Sequence, residues 1–248
     1  MNTIYILWLR QLKRYFRSKA RIIGSLGQPL LFLVALGFGL GPIYRKAGGG
    51  NYIQFLAPGV ISMGIIFTAL FSGIEIIWDR QFGFLKETLV APTSRLEIMI
   101  GRTLGGATVA SFQGFLILFL SLLVGFKPQS IIIFPVTLVL IFMVALLFTA
   151  MGTAIASFLE DMQGFQLIMN FLVMPLFFLS GALFPLEGLP KALHLIASLD
   201  PLAYGVDGLR GTLVNSSHFG LFTDFLVLGV VTALILVLGS YLFSKIEV

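Results

Sequence analysis

The feature that most constrains this chain is a set of six long apolar runs that contain no Asp, Glu, Lys or Arg. A helix needs about 20 apolar residues to cross the hydrocarbon core of a bilayer, and each run has at least 20 residues. The runs are continuously apolar, whereas strands of a membrane barrel alternate over about 10 residues. We therefore expect an all-α polytopic membrane protein with six transmembrane helices, over residues 22–44, 51–74, 103–126, 128–159, 162–186 and 225–244.

Composition excludes the soluble and disordered classes. Of the 248 residues, 58% are hydrophobic and 11% are charged, against about 45–50% and about 25% in soluble domains. A disordered chain combines low hydrophobicity with high net charge, which is the reverse of this pattern. Cysteine is absent, so no disulfide framework or cysteine metal site is expected. The net charge of +5 comes from basic residues that flank apolar runs, which indicates anionic lipid headgroups rather than nucleic acid as partners.

The distribution of basic residues predicts the orientation in the membrane. Six spans place both termini on one side, and that side carries eleven of the 16 Lys and Arg residues. Cytoplasmic loops carry the excess of Lys and Arg, so we predict an integral plasma (inner) membrane protein with both termini in the cytoplasm. The N-terminal segment has no compact leader layout, and we expect residues 1–248 to form a single transmembrane domain.

The first 21 residues are predicted to form an amphipathic helix. Apolar residues recur at i, i+3 and i+4 spacing, and most of the basic residues lie off this stripe. A basic amphipathic helix with a tryptophan favours the membrane surface, and the alternative is simple basic flanking of the first span. The stripe consists of Ile4, Leu7, Trp8, Leu12 and Tyr15, and the basic residues are Arg10, Lys13, Arg14 and Arg17.

Residues 78–102, between the second and third runs, hold seven charged residues mixed with aromatic ones. A plain connector between helices needs only about 2–8 residues, so this segment favours a docking surface for a soluble partner. Ser94 and Glu97 fit a capping box, which predicts that a helix starts near Ser94 and continues into the third span. Glu75 ends the second run, where we expect either ion pairing with nearby Arg80 or a role in coupling or substrate passage.

Two short apolar pieces, residues 192–199 and 201–206, lie between the fifth and sixth runs. Neither is long enough to cross a bilayer. Their leucine and isoleucine content argues against an ordinary exposed loop. We expect a short interfacial or re-entrant hairpin at this position.

Catalytic and metal-binding motifs are missing from the sequence. There is no G-x-x-x-x-G-K-[ST] and no H-E-x-x-H, and both histidines lie outside the predicted spans. Small residues four apart, such as Gly101 with Gly105 and Gly106 with Ala110, indicate close helix packing rather than a nucleotide site. The spans also lack the buried charges that ion-driven carriers use. We therefore predict no catalytic residue, no metal ligand, and a permease that draws its energy from another subunit.

Two sequence blocks carry a family resemblance. The first joins Y-I-Q-F-L-A-P-G-V-I-S-M (residues 52–63) to W-D-R-Q-F-G-F-L-K-E-T-L-V-A-P-T-S-R (78–95) and G-R-T-L-G-G (101–106). The second joins S-G-A-L-F-P-L-E-G-L-P-K-A-L (180–193) to D-P-L-A-Y-G-V-D-G-L-R (200–210). With the basic N-terminal helix and six spans, the chain resembles the membrane subunit of type-2 ABC exporters, the ABC-2 family. Within that family it is similar to the daunorubicin-resistance and nodulation lipo-oligosaccharide permeases.

The resemblance implies partners and functional segments. The partners are two copies of a cytoplasmic ABC ATPase, which would hold ATP and Mg²⁺ while this chain binds no cofactor, and a second copy of this permease in a homodimer. The segments are a connecting helix in residues 1–21, a coupling helix at 79–91, and re-entrant helices at 185–199 that close an outer gate. The implied residues are Trp8, Arg10, Arg14 and Arg17 for the connecting helix, Asp79, Arg80, Phe82, Gly83, Leu85, Lys86 and Glu87 for coupling, and Pro185, Leu189, Pro190 and Leu193 for the gate.

The expected function is the export of an amphipathic cargo, such as a drug, a lipid or a lipid-linked glycan, driven by the partner's ATP hydrolysis. Two other classes stay open at this point. A secondary carrier or channel would transport solute without any ATPase. An intramembrane enzyme would depend on a residue such as His194 or Ser180, and the missing catalytic pairs make it the weakest of the three.

Overall fold

The computed structural model describes residues 3–84, 93–129, 133–188 and 190–244. Within these ranges the chain forms helices and no strand. The helices are α1 (Thr3–Arg17), α2 (Lys19–Gly39), α3 (Gly41–Lys46), α4 (Tyr52–Phe71), α5 (Ile74–Gln81), α6 (Arg95–Val124), α7 (Phe134–Phe158), α8 (Met162–Leu179), α9 (Lys191–Leu199), α10 (Pro201–Val214) and α11 (Leu221–Ser244).

Six helical stretches of the described residues are long and apolar enough to cross a membrane: α2, α4 continued by α5, α6, α7, α8 and α11. The prediction of an all-helical chain with six candidate spans is confirmed. The second stretch runs over 30 residues, Tyr52–Gln81, and so continues past the charge at Glu75 where the apolar run ends. Gly83 has a left-handed φ of +79° just after it, a conformation that suits glycine and stops a helix.

The start of α6 follows the predicted capping box. The Ser94 hydroxyl accepts a hydrogen bond from the Glu97 backbone N–H, and the Glu97 carboxylate accepts one from the Ser94 N–H, both at 3.1 Å. This reciprocal cap begins the helix at Arg95, eight residues before the charge-free run begins. At the far end, Gly125 in a left-handed conformation (φ +108°) terminates α6.

The centre of the bundle is formed by α4, α6 and α7, which pack against one another. Most residues of α4 are buried within the chain, whereas fewer than a quarter of the residues in α2, α8 and α11 are buried. An apolar surface of this kind is suited to contact lipid or another apolar partner.

Helix α1 packs along the first half of α6, with both helices running in the same direction. Leu7 lies against Gly101, Trp8 and Gln11 against Gly105, and Tyr15 hydrogen-bonds Gln113. These contacts span twelve positions of α6, about 18 Å at 1.5 Å per residue. The close packing predicted for Gly101 and Gly105 is confirmed: a Cβ atom at Gly105 would lie 2.6 Å from Gln11 of α1, and one at Gly101 would lie 3.0 Å from Leu7. The placement of α1 in the membrane surface stays a prediction.

The two short apolar pieces between the fifth and sixth spans are both helical. Helix α9 has nine residues and α10 has 14, and Asp200 between them accepts a hydrogen bond from the Leu202 N–H at 2.8 Å. Helix α10 is buried against α4, α7 and α11, while α9 is mostly exposed. A re-entrant position of this hairpin in a bilayer stays a prediction.

Candidate coupling site at the basic end

Asp79 lies at the centre of a charged cluster that joins three helices at one end of the bundle. Its carboxylate accepts hydrogen bonds from Arg102 of α6 at 2.6 Å and from Arg10 of α1 at 2.8 Å. The side chains of Asp79 and Arg102 are each 4% exposed, and that of Arg10 is 40% exposed. A buried charge is tolerated when it is paired and hydrogen-bonded. Asp79 therefore fixes the last turn of α5 to both α1 and α6. We call this end of the bundle the basic end.

Glu75, one turn before Asp79, forms a second set of ion pairs. Its carboxylate lies 3.5 Å from the guanidinium of Arg14 in α1 and 3.3 Å from that of Arg21 in α2. The expected pairing of Glu75 with Arg80 is wrong. Five residues along a helix correspond to a rotation of about 140°, so these two side chains point to different sides of α5.

Arg80 instead binds the end of α7. Its guanidinium donates hydrogen bonds to the carbonyl oxygens of Ser157 and Leu159, both at 3.2 Å. The last carbonyls of a helix lack partners within the helix, and cations are favoured there. Through Arg80, Asp79 and Glu75, the short helix α5 is connected to four neighbouring helices.

A groove of about 650 Å³ separates α1 from α5 at this end. Basic and aromatic groups alternate along it: the Arg14 guanidinium lies 5.0 Å from the ring centroid of Trp78, and the Arg10 guanidinium lies 5.8 Å from that of Phe84. Phe82, in the turn after α5, is 71% exposed. An exposed aromatic side chain beside fixed cations is typical of a protein docking surface. The groove is lined by Ile6, Leu9, Arg10, Lys13, Arg14, Arg17, Trp78, Asp79, Phe82 and Phe84.

A second cavity, of about 350 Å³, lies behind the groove between α1, α2 and α4. Phe67, Phe71 and Pro29 form apolar parts of its wall, and Arg21 and Glu75 form charged parts. This cavity combines apolar surface with one ion pair, so its walls suit an amphipathic molecule.

The residues predicted for coupling and for the connecting helix fall into three groups. Asp79, Arg80, Arg10 and Arg14 are bound within the chain as described, and Trp8 donates from its indole N–H to the Thr108 hydroxyl at 3.0 Å. The second group lies beside the groove or in the turn after α5 and consists of Arg17, Phe82 and Gly83. The last group, Leu85, Lys86 and Glu87, lies outside the described residues. The assignment of all these residues to contact with an ATPase stays a prediction.

The three predicted gate residues that the structure describes lie at the opposite end of the bundle. Pro185 and Pro190 are exposed, Leu193 is 40% exposed on α9, and Leu189 lies outside the described residues. Their role in a gate stays a prediction.

Sequence reasoning missed the polar anchor of that opposite end. Arg210 of α10 is buried and donates hydrogen bonds to the carbonyl oxygens of Gly181 at 2.9 Å and Phe55 at 3.4 Å. Its guanidinium also lies 4.1 Å from the ring centroid of Phe55. Burial lowers the pKa of Arg210 to about 10. The available sequence signal was Arg210 itself, a single basic residue in a mostly apolar stretch. The sequence could not identify its partners, which are 29 and 155 residues away.

The fold and this site define a class: a polytopic helical membrane permease whose membrane helices are tied together at one end by buried ion pairs. Residues 2–214 match the family described as ABC-2 type transporter. Because the match covers most of the chain, the protein belongs to that family. The family consists of membrane permeases that lack an ATPase domain and work with an ABC ATPase.

Individual relatives agree with this assignment. The chain is 28% identical over 213 residues to Nodulation protein J of Rhizobium leguminosarum bv. viciae, covering 85% of this chain and 79% of that protein. It is 33% identical to the putative transport permease ycf38 of Pyropia yezoensis, covering 85% and 73% of the two chains. It is 28% identical to the inner membrane transport permease YadH of Escherichia coli, covering 90% and 87%.

Proposed function

We propose that this chain exports an amphipathic cargo, such as a drug, a lipid or a lipid-linked glycan, and that an ABC ATPase drives it from the basic end. The observation that carries the proposal is the groove between α1 and α5, with its exposed Phe82 and its row of arginines. The complete transporter would contain two copies of this chain and two of the ATPase. Both termini would lie in the cytoplasm, on the same side as the ATPase.

The ion pairs supply a mechanism for coupling. Asp79, Glu75 and Arg80 connect α5 to α1, α2, α6 and α7. A force applied to α5 and the following turn by a closing ATPase dimer would therefore reach four helices through charged contacts. Energy from ATP binding would shift the bundle between inward-open and outward-open states, because the ATPase binds the two states with different affinity.

The 350 Å³ cavity supports an amphipathic cargo. Its apolar wall would hold an acyl or aromatic part of the cargo, and the Arg21–Glu75 pair would meet a polar headgroup. The relatives include a nodulation protein and an inner membrane transport permease, which supports transport. The exit would lie at the opposite end, beside Pro185, Pro190 and Leu193, with Leu189 in the same segment.

A single-cysteine experiment tests the orientation and the docking together, because the chain contains no cysteine. We expect Phe82→Cys to react with a membrane-impermeant maleimide in inside-out vesicles and not in intact cells. The ATPase that copurifies with the tagged chain from its native membrane should protect this cysteine. Arg45→Cys, an exposed position at the opposite end, is the matched control, and it should react in intact cells whether or not the ATPase is bound.

Three outcomes would contradict the proposal. Reaction of Phe82→Cys in intact cells would show that the basic end faces the outside of the cell, opposite to the proposed orientation. Full reactivity in the purified complex would show that the ATPase binds elsewhere. Solute transport by the chain alone in vesicles without ATPase would make it a secondary carrier or channel.

A further inference from the structure

The two histidines of this chain come from separate segments and face each other. His194 lies on α9, and His218 lies in the loop between α10 and α11. Their Nε2 atoms are 3.4 Å apart, and their ring centroids are 5.6 Å apart. We propose that His194 and His218 form a two-imidazole binding site for a divalent transition metal of the Zn²⁺ class. The site lies at the end of the bundle opposite the groove between α1 and α5.

The distance between the two nitrogens matches that of two ligands on one metal ion. Imidazole binds Zn²⁺ at about 2.0–2.1 Å with tetrahedral geometry, which places two ligand nitrogens about 3.3–3.4 Å apart. The observed separation of 3.4 Å matches this value. The ring centroids are 5.6 Å apart, so the rings now point almost end to end, and a rotation of the two side chains would direct both Nε2 lone pairs at one ion without moving the backbone.

An imidazole binds a metal ion through an unprotonated ring nitrogen. At 3.4 Å the two Nε2 atoms lie within hydrogen-bonding distance, and the tautomers decide which of them carries the shared proton. A neutral imidazole has one N–H and one free lone pair, so the shared proton moves to Nδ1 of its own ring. Both Nε2 lone pairs are then available to the metal, and both rings stay neutral.

The loop that carries His218 is held in place by a buried carboxylate. Asp207 is 3% exposed and accepts hydrogen bonds from the backbone N–H of His218 at 2.7 Å and of Phe219 at 2.7 Å. It also accepts one from the Ser217 hydroxyl at 2.9 Å. The Phe219 ring packs edge-on against His218 and stacks on Tyr204 with centroids 4.6 Å apart. These contacts restrict His218 before any ligand binds, which lowers the entropy cost of metal binding.

The rest of the coordination shell is open. Among the residues that the structure describes, no group of three or more His, Cys, Asp or Glu side chains converges at a point. His218 is exposed, so water would complete the shell. The bound ion would tie α9 to the α10–α11 loop and restrain the segment between the last two spans.

The test uses the full chain, purified in detergent with a tag that contains no histidine. Zn²⁺ is titrated in competition with a chromophoric chelator. We expect His194→Ala and His218→Ala each to weaken Zn²⁺ binding at least about tenfold. Lys191→Ala is the matched control, since it is an exposed residue of the same helix, and it should bind Zn²⁺ like the wild type.

A second measurement counts the nitrogen ligands directly. Electron paramagnetic resonance of bound Cu²⁺ should show two imidazole nitrogens in the wild type and one in each single variant. The proposal is overturned if the wild type does not bind Zn²⁺, or if a variant lacking both histidines binds it equally well. Neither measurement requires an ATPase or a cargo, so a failure here is distinct from a failure of the proposed transport function.

Discussion

The two ends of the bundle hold buried arginines in different ways. At the basic end, Arg102 contacts a carboxylate, Asp79, which itself also pairs with Arg10 on α1. At the opposite end, Arg210 contacts two backbone carbonyls and the face of Phe55. The first arrangement connects side chains of three helices, and the second connects a side chain to backbone that is already fixed. The comparison indicates that the basic end depends on ionic partners that a movement could exchange, whereas the opposite end is anchored to the main chain.

The largest expected effect is that of Arg102→Met. Asp79 would keep only the half-exposed Arg10 as an ionic partner, and breaking a buried pair from one side costs about 3–5 kcal/mol. We expect this loss in the free energy of unfolding, measured by thermal unfolding of the purified protein. Adding Asp79→Leu should restore part of the stability, because the buried carboxylate that lost Arg102 is gone. If the double variant is no more stable than the single one, the cluster does not act as a unit.

A smaller effect is expected for Arg210→Met. The Gly181 carbonyl would lose its charged donor at 2.9 Å, and one unsatisfied buried polar group costs about 1–3 kcal/mol. The contact with the Phe55 carbonyl is long, at 3.4 Å, and contributes less. The same thermal assay measures this loss, and Arg45→Met, at an exposed position of the same end, should leave stability unchanged. A loss for Arg210→Met as large as that for Arg102→Met would remove the distinction between the two ends.

The smallest effect concerns Asp200, which caps the N-terminus of α10. Burial raises the pKa of Asp200 from its ordinary value of 3.8 to about 7. The folded state then binds more protons than the unfolded state between roughly pH 4 and 7. Stability is therefore highest at low pH and falls as the pH rises through 7, by about 1 kcal/mol between pH 6 and 7.5.

Asp200→Asn removes the titration and keeps a good capping residue. The variant should gain stability relative to the wild type as the pH rises from 6 to 7.5, in paired thermal unfolding series. A constant difference between the two proteins across this range would show that Asp200 has an ordinary pKa.

The sequence predicted the spans well because their length is set by the bilayer and their boundaries by charge. The cap at Ser94 was also predictable, since it depends on Glu97 three residues away. The spacing of Gly101 and Gly105 predicted close helix packing there, but not that the partner would be α1. Pairing across the fold was not predictable in the same way. Asp79 pairs with Arg102 and Arg10, at separations of 23 and 69 residues, and nothing local selects these arginines among the 16 basic residues.

The contact between the two histidines could not be predicted from the sequence for the same reason. His194 and His218 are 24 residues apart, and the sequence places them in the same connecting region between two spans. Their contact depends on the hydrogen bonds that fold the loop around Asp207, which no local pattern specifies.

The packing of α1 against α6 has a consequence for biosynthesis. Helix α1 leaves the ribosome before α6, because Gly101 and Gly105, which it packs against, are synthesised about 80 residues later. At about 5–20 residues per second, the nascent chain carries an undocked α1 for roughly 4–16 s. During this interval the stripe of Leu7, Trp8 and Tyr15 has no helix to cover it, so the insertion machinery or the lipid headgroups must shelter it until the third span arrives.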